Sequence, residues 1–303
     1  MLSEAVRVLT NRALAPPDGF EHSPLAVVTA GYDSDVTEAF LWSRKLRDAG
    51  FNLIIYDGPG QGRVNTLDGV GLRHDWEVVL SSLLDHALDE NLGGFKQQHG
   101  VVSYGLSLGG HLTCRAALFE HRPTVYVVDP AHPTLKESVY EKTGPLADFY
   151  QKQSMAASPM SFEELPPSIV KAIQFIQSPA AAAKGGGLLK QRAFKHLTRD
   201  ALSQTSWPHE YMREVAKFHT ELSDYAGVQV PFIMCTQEGD QLISNKRGDA
   251  LKVALAQSPA AADSTTITFT AAEGAEDHMA LGCRTHFWER TLDVLLPLLK
   301  QKL

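Results

Sequence analysis

Gly105-Leu106-Ser107-Leu108-Gly109 stands between a strand-like run, His99-Gly100-Val101-Val102-Ser103-Tyr104, and a helix-like run from Gly110 to Leu118. Gly-x-Ser-x-Gly in that setting describes a turn too tight for side chains on either flank. It lifts the serine oxygen above the end of a sheet strand and the amino end of a helix. Glycine and serine also build ordinary turns, so the pattern alone is weak and its flanks give it meaning. Ser107 is the candidate nucleophile. A nucleophilic serine needs a base and an orienting acid, which must come from elsewhere in the chain.

The segments before and after the pattern alternate between strand and helix. Leu25 to Ala30 reads as a buried strand. A helix follows from about Val36 to Ala49, with Asp35 and Glu38 at capping-box spacing. Phe51 to Tyr56 is a second strand, closed by Asp57-Gly58-Pro59-Gly60-Gln61-Gly62, and Trp76 to Leu88 has apolar residues at helical spacing. Thr124 to Val128 is another strand. After a break the rhythm resumes with strands at Val228–Cys235 and Thr265–Thr270, a helix from Asn245 to Gln257 and a last helix from Arg284 to Lys302. The alternation predicts an α/β fold, a mostly parallel, doubly wound sheet. Its core spans residues 1–130 and 228–303.

Residues 131–227 break this rhythm with several prolines and the low-complexity run Ala180-Ala181-Ala182-Ala183-Lys184-Gly185-Gly186-Gly187. They read as a helical insertion, a lid over the core. Aromatic residues are frequent there. Most fit the lid's own core, and Phe149, Trp207 and Tyr211 are candidates to line a substrate cavity.

Ligands of such sheets gather at the carboxyl ends of the strands, so acids and bases that directly follow strands are the ones to weigh. Asp240 follows the Val228–Cys235 strand, and His278 follows the Thr265–Thr270 strand, before the last helix. The order Ser107, Asp240, His278 is the one expected of α/β-hydrolases. His278 would take the proton of Ser107, and the carboxylate would fix the tautomer and stabilise the imidazolium. Asp129, also at a strand end, competes with Asp240 for the acid. His132 is a distant second choice for the base, His111 is a packing candidate, and Glu238 and Asp277 read as solvated loop charges. Negative charge developing on a substrate oxygen needs two backbone N–H donors. Leu108, directly after the nucleophile, should supply one and Tyr32 the other, with Gly31 letting that backbone approach closely.

Composition narrows the function classes. The 303 residues are 44% hydrophobic and 21% charged, an ordinary globular balance with a net charge of −7. No basic stripe is present to neutralise phosphates, so nucleic acid is not an expected partner. No apolar stretch approaches the roughly 20 residues that span a bilayer, and the first residues lack the apolar core of a secretion signal. Cys114, Cys235 and Cys283 show no metal spacing and sit in apolar contexts, which predicts buried free thiols and a reducing, cytoplasmic setting. No metal or cofactor is expected.

Five motifs then coincide in order: Gly31-Tyr32-Asp33-Ser34, Asp57-Gly58-Pro59-Gly60-Gln61-Gly62, Asp75-Trp76-Glu77, Gly105-Leu106-Ser107-Leu108-Gly109-Gly110 and Glu276-Asp277-His278-Met279-Ala280-Leu281-Gly282. The chain resembles the α/β-hydrolase branch that contains 2,6-dihydroxypseudooxynicotine hydrolase and the fungal hydrolases that shorten polyketide chains in pigment pathways. The resemblance runs from about residue 24 to the C-terminus and is weakest through the insertion. It implies Ser107 as nucleophile, Asp240 as acid, His278 as base, and Tyr32 and Leu108 as oxyanion donors, with Asp57 and Trp76 in structural roles. Members of the branch usually carry a helical region before the first glycine motif, where this chain has only residues 1–30. The sheet is therefore expected to lack its first strands, and a homodimer stays open as the source of a missing pocket wall.

The resemblance implies a cofactor-free serine hydrolase that cleaves a carbon–carbon bond in an acylated phenol or β-diketone. An ester or thioester hydrolase with the same residues is the alternative. A peptidase is a more distant one, and a hydrolase-fold binder of a small apolar ligand is the alternative from another class.

Overall fold

Hydrophobic side chains on both faces of the inner strands force the sheet into the middle of the molecule, with helices covering it above and below. The computed structural model describes residues 7–9, 23–32, 34–92, 96–135, 137, 164, 166–168 and 215–303. Strands β1 (Arg7–Leu9), β2 (Leu25–Thr29), β3 (Asn52–Asp57), β4 (Val101–Leu106), β5 (Val125–Asp129), β6 (Phe232–Gln237) and β7 (Thr265–Phe269) form one sheet in the order β1-β3-β2-β4-β5-β6-β7. Every pair is parallel except β1 with β3. Strands β2 to β6 are buried throughout, and alternate residues serve opposite layers.

One layer holds α3 (Trp76–Asp89), α4 (Leu108–Ala116) and α5 (Asn245–Leu255); Leu25, Val27, Ile54 and Tyr56 face it. The other holds α1 (Val36–Asp48) and α6 (Arg284–Lys302), against Ala26, Val28, Leu53 and Ile55. Asp35 caps α1 as the spacing predicted, its Oδ1 accepting from the Thr37 and Glu38 N–H groups at 2.8 and 3.0 Å. On α6 the buried face includes Phe287, Trp288, Leu295 and Leu299, while Leu292 is only partly covered.

Two findings correct the sequence reading. Strand β1 lies ahead of Leu25 and pairs antiparallel with β3, Arg7 opposite Asp57, so the sheet has an edge strand that was expected to be missing. A three-residue strand is too short to show a period. Cys114 and Cys235 are buried free thiols as expected, but Cys283 is partly exposed.

Most of the expected insertion, with Phe149, Trp207 and Tyr211, lies outside the described residues. Its two described ends meet. Thr134 bridges His219, the Leu135 N–H donates to the Phe218 carbonyl at 3.0 Å, and the Thr220 hydroxyl donates to the Pro133 carbonyl at 2.6 Å. The chain therefore leaves β5 and returns toward β6 through one paired neck.

The sheet's direction of growth reverses at β2. Strand β3 lies on one side of it and β4 on the other. The crevice above the carboxyl ends of β2 and β4 is where this topology places a ligand.

Beyond α4, the Glu120 carboxylate joins that helix end to α3. It accepts from Arg122 Nη2 at 2.7 Å, the Arg122 backbone N–H at 2.9 Å and the Ser81 hydroxyl at 2.5 Å. Burial opposes its charge, but Arg122 and Ser81 outweigh burial and bring the carboxyl from 4.5 down to about 2. A depressed carboxyl stabilises the fold above its unfolded value and loses that contribution as pH falls toward the folded one. Glu120→Gln is therefore expected to cost about 2 kcal/mol at neutral pH, with the gap to wild type closing between pH 4.5 and about 2. Thermal melts across pH check this; a gap independent of pH contradicts it.

Candidate active site

Strand β4 ends at Leu106 and helix α4 begins at Leu108, leaving Ser107 alone at the turn. Its backbone has φ 54° and ψ −121°, a conformation costing a non-glycine residue about 1–3 kcal/mol. Packing imposes it. A Cβ on Gly105 would overlap the Gly109 carbonyl, and one on Gly109 would overlap the Thr29 carbonyl of β2. Hydrogen bonds then fix the turn: the Ser107 N–H donates to the Asp129 carbonyl at 2.7 Å, and the Ser107 carbonyl accepts the Gly110 N–H at 2.8 Å.

Ser107 Oγ lies 2.8 Å from His278 Nε2, and His278 Nδ1 lies 2.8 Å from Asp240 Oδ2. Three residues far apart in the chain thus form one hydrogen-bonded line. Asp240 sits in the turn after β6, its side chain fully covered, and its other oxygen accepts from the Leu242 and Ile243 N–H groups at 2.8 Å each. Burial alone would favour the protonated acid. The hydrogen bond and charge of His278, with the two backbone donors, outweigh it and hold the carboxyl below the ordinary carboxylate range. As a carboxylate it accepts the Nδ1 proton, which leaves Nε2 able to accept from Ser107.

The competitors stand elsewhere. Asp129, fully buried at the end of β5, directs Oδ1 to Gln237 Nε2 at 2.8 Å and Oδ2 to the Tyr104 hydroxyl and Arg284 Nη1. His132 is fully buried and places Nε2 3.0 Å from the Ser107 carbonyl oxygen rather than the hydroxyl. Burial lowers its pKa to about 4, so near neutrality its imidazole is neutral, and its N–H steadies the turn from behind. His111 is buried on α4, its ring near those of His132 and Phe218. Glu238 accepts the Ala271 N–H at 2.7 Å, and Asp277 the Gly282 N–H at 3.1 Å; both cap loops.

On the β2 side, a Cβ at Gly31 would stand 3.2 Å from Ser107 Cβ and 2.9 Å from Ser34 Oγ, which shows how closely this loop approaches the nucleophile candidate. Leu108 is the first residue of α4, where an N–H has no partner within its helix. The Asp57-to-Gly62 motif builds the wall behind Gly31. Gln61 Nε2 donates to the Ala30 and Gly31 carbonyls at 2.7 and 3.1 Å. Asp57 accepts the Val36 N–H at 3.0 Å, at the start of α1, and the Arg63 N–H at 2.9 Å, at the start of the short helix Gly62–Thr66. Trp76 donates to the Tyr56 hydroxyl at 3.0 Å, a structural role like that of Asp57. In the sequence Gln61 reads as a turn residue and Arg284 only as the start of the last helix. A buried side-chain amide acting on another loop, and an ion pair formed between β5 and α6, leave no local signal. Among the described residues, no cluster of three or more histidine, cysteine or carboxylate side chains is arranged to hold a metal.

Fold, turn and hydrogen-bonded line together define a class. Residues 22–283 match the alpha/beta hydrolase family, and the chain belongs to it. The chain is similar to Hydrolase LUC6 of a Fusarium species, 37% identical over 100 residues that cover 31% of this chain and 23% of that protein. It is also similar to 20-hydroxy-prefusarin hydrolase FUS2 of Gibberella moniliformis, 33% identical over 97 residues that cover 31% of this chain and 23% of that protein. Among solved structures, 2,6-dihydroxy-pseudo-oxynicotine hydrolase superposes with a TM-score of 0.60 at 18% identity, covering 96% of this chain and 64% of that one. Est1E of Butyrivibrio proteoclasticus, solved with ferulic acid, gives 0.58 at 11% identity, covering 97% and 96%. The matches thus span under a quarter of these curated relatives and under two thirds of the first structure. The likenesses to the two fungal hydrolases support the branch inferred from the motifs, and those to the solved structures show the fold.

Gly31→Ala would press a methyl group against Ser107 without disturbing a core strand. The variant is expected to keep its melting temperature and to react with a fluorophosphonate about 10²-fold more slowly than wild type. Rate measurements on the folded variant check this; unchanged reactivity contradicts the approach of the Gly31 loop.

Proposed function

We propose that this chain is a cofactor-free serine hydrolase in which Ser107 is the nucleophile, His278 the general base and acid, and Asp240 the orienting carboxylate. The observation that carries the reading is the pair of 2.8 Å contacts joining the three side chains. The Ser107 oxygen attacks a carbonyl carbon while His278 takes its proton. The tetrahedral oxyanion accepts from the N–H groups of Leu108 and Tyr32. Gln61 supports the second donor. It holds the Gly31 carbonyl, and in a trans peptide the Tyr32 N–H points the opposite way.

The substrate class proposed is an acylated phenol or β-diketone, cleaved at a carbon–carbon bond. Collapse of the tetrahedral intermediate expels a carbanion, which His278 protonates. Water, deprotonated by the same imidazole, then releases the acid from Ser107. A carbon leaving group departs readily only when its charge is delocalised into a ring or a second carbonyl, hence the phenolic or diketo requirement. The five ordered motifs by which the chain resembles the pseudooxynicotine hydrolase branch support this reading, and the Gibberella relative, named a 20-hydroxy-prefusarin hydrolase, supports hydrolysis of a small-molecule substrate.

A fluorophosphonate probe, followed by assays with aryl diketones and size-matched aryl esters, tests the proposal. The wild-type chain is expected to label and to cleave diketones, with both activities falling at least 10³-fold in Ser107→Ala. Cleavage of esters alone contradicts the carbon–carbon assignment, and a chain that never labels contradicts the hydrolase reading in favour of a ligand binder.

A further inference from the structure

Outside the line of Ser107, His278 and Asp240, the described core holds one further buried ion pair at the same end of the sheet. Arg284, the first residue of α6, directs its guanidinium back beneath the strand ends. Its Nη1 donates to Asp129 Oδ2 at 2.6 Å and to the Met279 carbonyl at 2.8 Å, and its Nη2 donates to the Tyr104 hydroxyl. The Phe287 ring lies 3.8 Å from the guanidinium carbon. Asp129 receives two more donors, from Tyr104 at 3.0 Å and Gln237 at 2.8 Å, so β4, β5, β6 and α6 are tied at one carboxylate.

Two details give this cluster a purpose beyond packing. Met279, whose carbonyl Arg284 holds, directly follows His278, and Met279 and Ala280 both have positive φ, 61° and 50°. Non-glycine residues keep such a backbone only where neighbours enforce it. On the other side, Asp129 pairs with Leu106 in the β4–β5 register, and its own carbonyl accepts the Ser107 N–H at 2.7 Å. One residue thus reaches the nucleophile turn through its main chain and the histidine loop through its carboxylate and Arg284.

We propose that Asp129 and Arg284 are positioning residues, a brace that sets the distance between Ser107 Oγ and His278 Nε2 from beneath. The inference rests on the hydrolase reading above and adds residues that touch neither substrate nor the reacting atoms. The pair works through the backbone of residues 107 and 279, so its loss misplaces the imidazole without changing the walls that bind substrate.

The test is the rate of Ser107 modification by a fluorophosphonate, with kcat and KM on an aryl ester. Arg284→Gln is expected to slow modification about 10²-fold and to lower kcat alike, with KM within about threefold of wild type. Arg284→Lys keeps a positive charge beside Asp129 but cannot reach all three oxygen partners; it is expected to lose about tenfold, and it carries the test if the glutamine variant does not fold. In a His278→Ala background both substitutions should lose their effect, because a brace acting through the imidazole has nothing left to position. Equal slowing with and without His278, or wild-type rates in a folded Arg284 variant, overturns the proposal. Modification that needs His278 but not Arg284 overturns the brace alone; a wild-type chain never modified at Ser107 overturns the hydrolase reading and the brace with it.

Discussion

Ser107 keeps a main-chain conformation that a non-glycine residue does not adopt unforced, and much of the surrounding structure serves to hold it. Glycines at 105 and 109 let β4, α4 and β2 close around the turn. Asp129 accepts its N–H, while Gly110 and His132 meet its carbonyl. The result is a hydroxyl standing clear of the sheet where the chain leaves the paired strands β2 and β4 toward opposite layers, the place at which a doubly wound sheet opens a crevice. A strained turn costs stability, and two buried layers of side chains on a seven-stranded sheet offset it.

Around that hydroxyl the chain separates two buried aspartates by their partners. Asp240 meets an imidazole and two backbone donors, which lower its proton affinity and leave one oxygen for His278. Asp129 is equally close to the sheet end, but Arg284, Tyr104 and Gln237 occupy its oxygens, and burial, only partly offset by Arg284, holds its carboxyl above the ordinary carboxylate value. Residue type alone does not distinguish the two; the hydrogen-bond geometry does.

The elements that position the site were legible because each has a strong local period or punctuation. The capped helix α1 and the Gly-x-Ser-x-Gly turn stand where the pattern put them, and the strands lie nearby, although β4 begins at Val101 rather than His99 and β6 at Phe232 rather than Val228. Strand-end placement singled out Asp240 and His278, which lie beside Ser107. Strand β1 escaped notice because three residues carry no period, and Gln61 and Arg284 because their meaning lies in partners distant along the chain. The motif Asp57 to Gly62 reads as a turn in sequence. Only in the fold does its glutamine reach the carbonyls of Ala30 and Gly31, so that a turn motif becomes part of the wall beside the nucleophile candidate.

The convergence of Ser107, His278 and Asp240 at one rim of the sheet is the claim on which the functional account stands. A crystal structure of the chain after reaction with an aryl phosphonate tests it most directly. The account predicts phosphorus bonded to Ser107 Oγ, its oxygen between the N–H groups of Tyr32 and Leu108, and the His278 imidazole still paired with Asp240. Phosphorus on another residue, or an oxygen turned away from both donors, would contradict it.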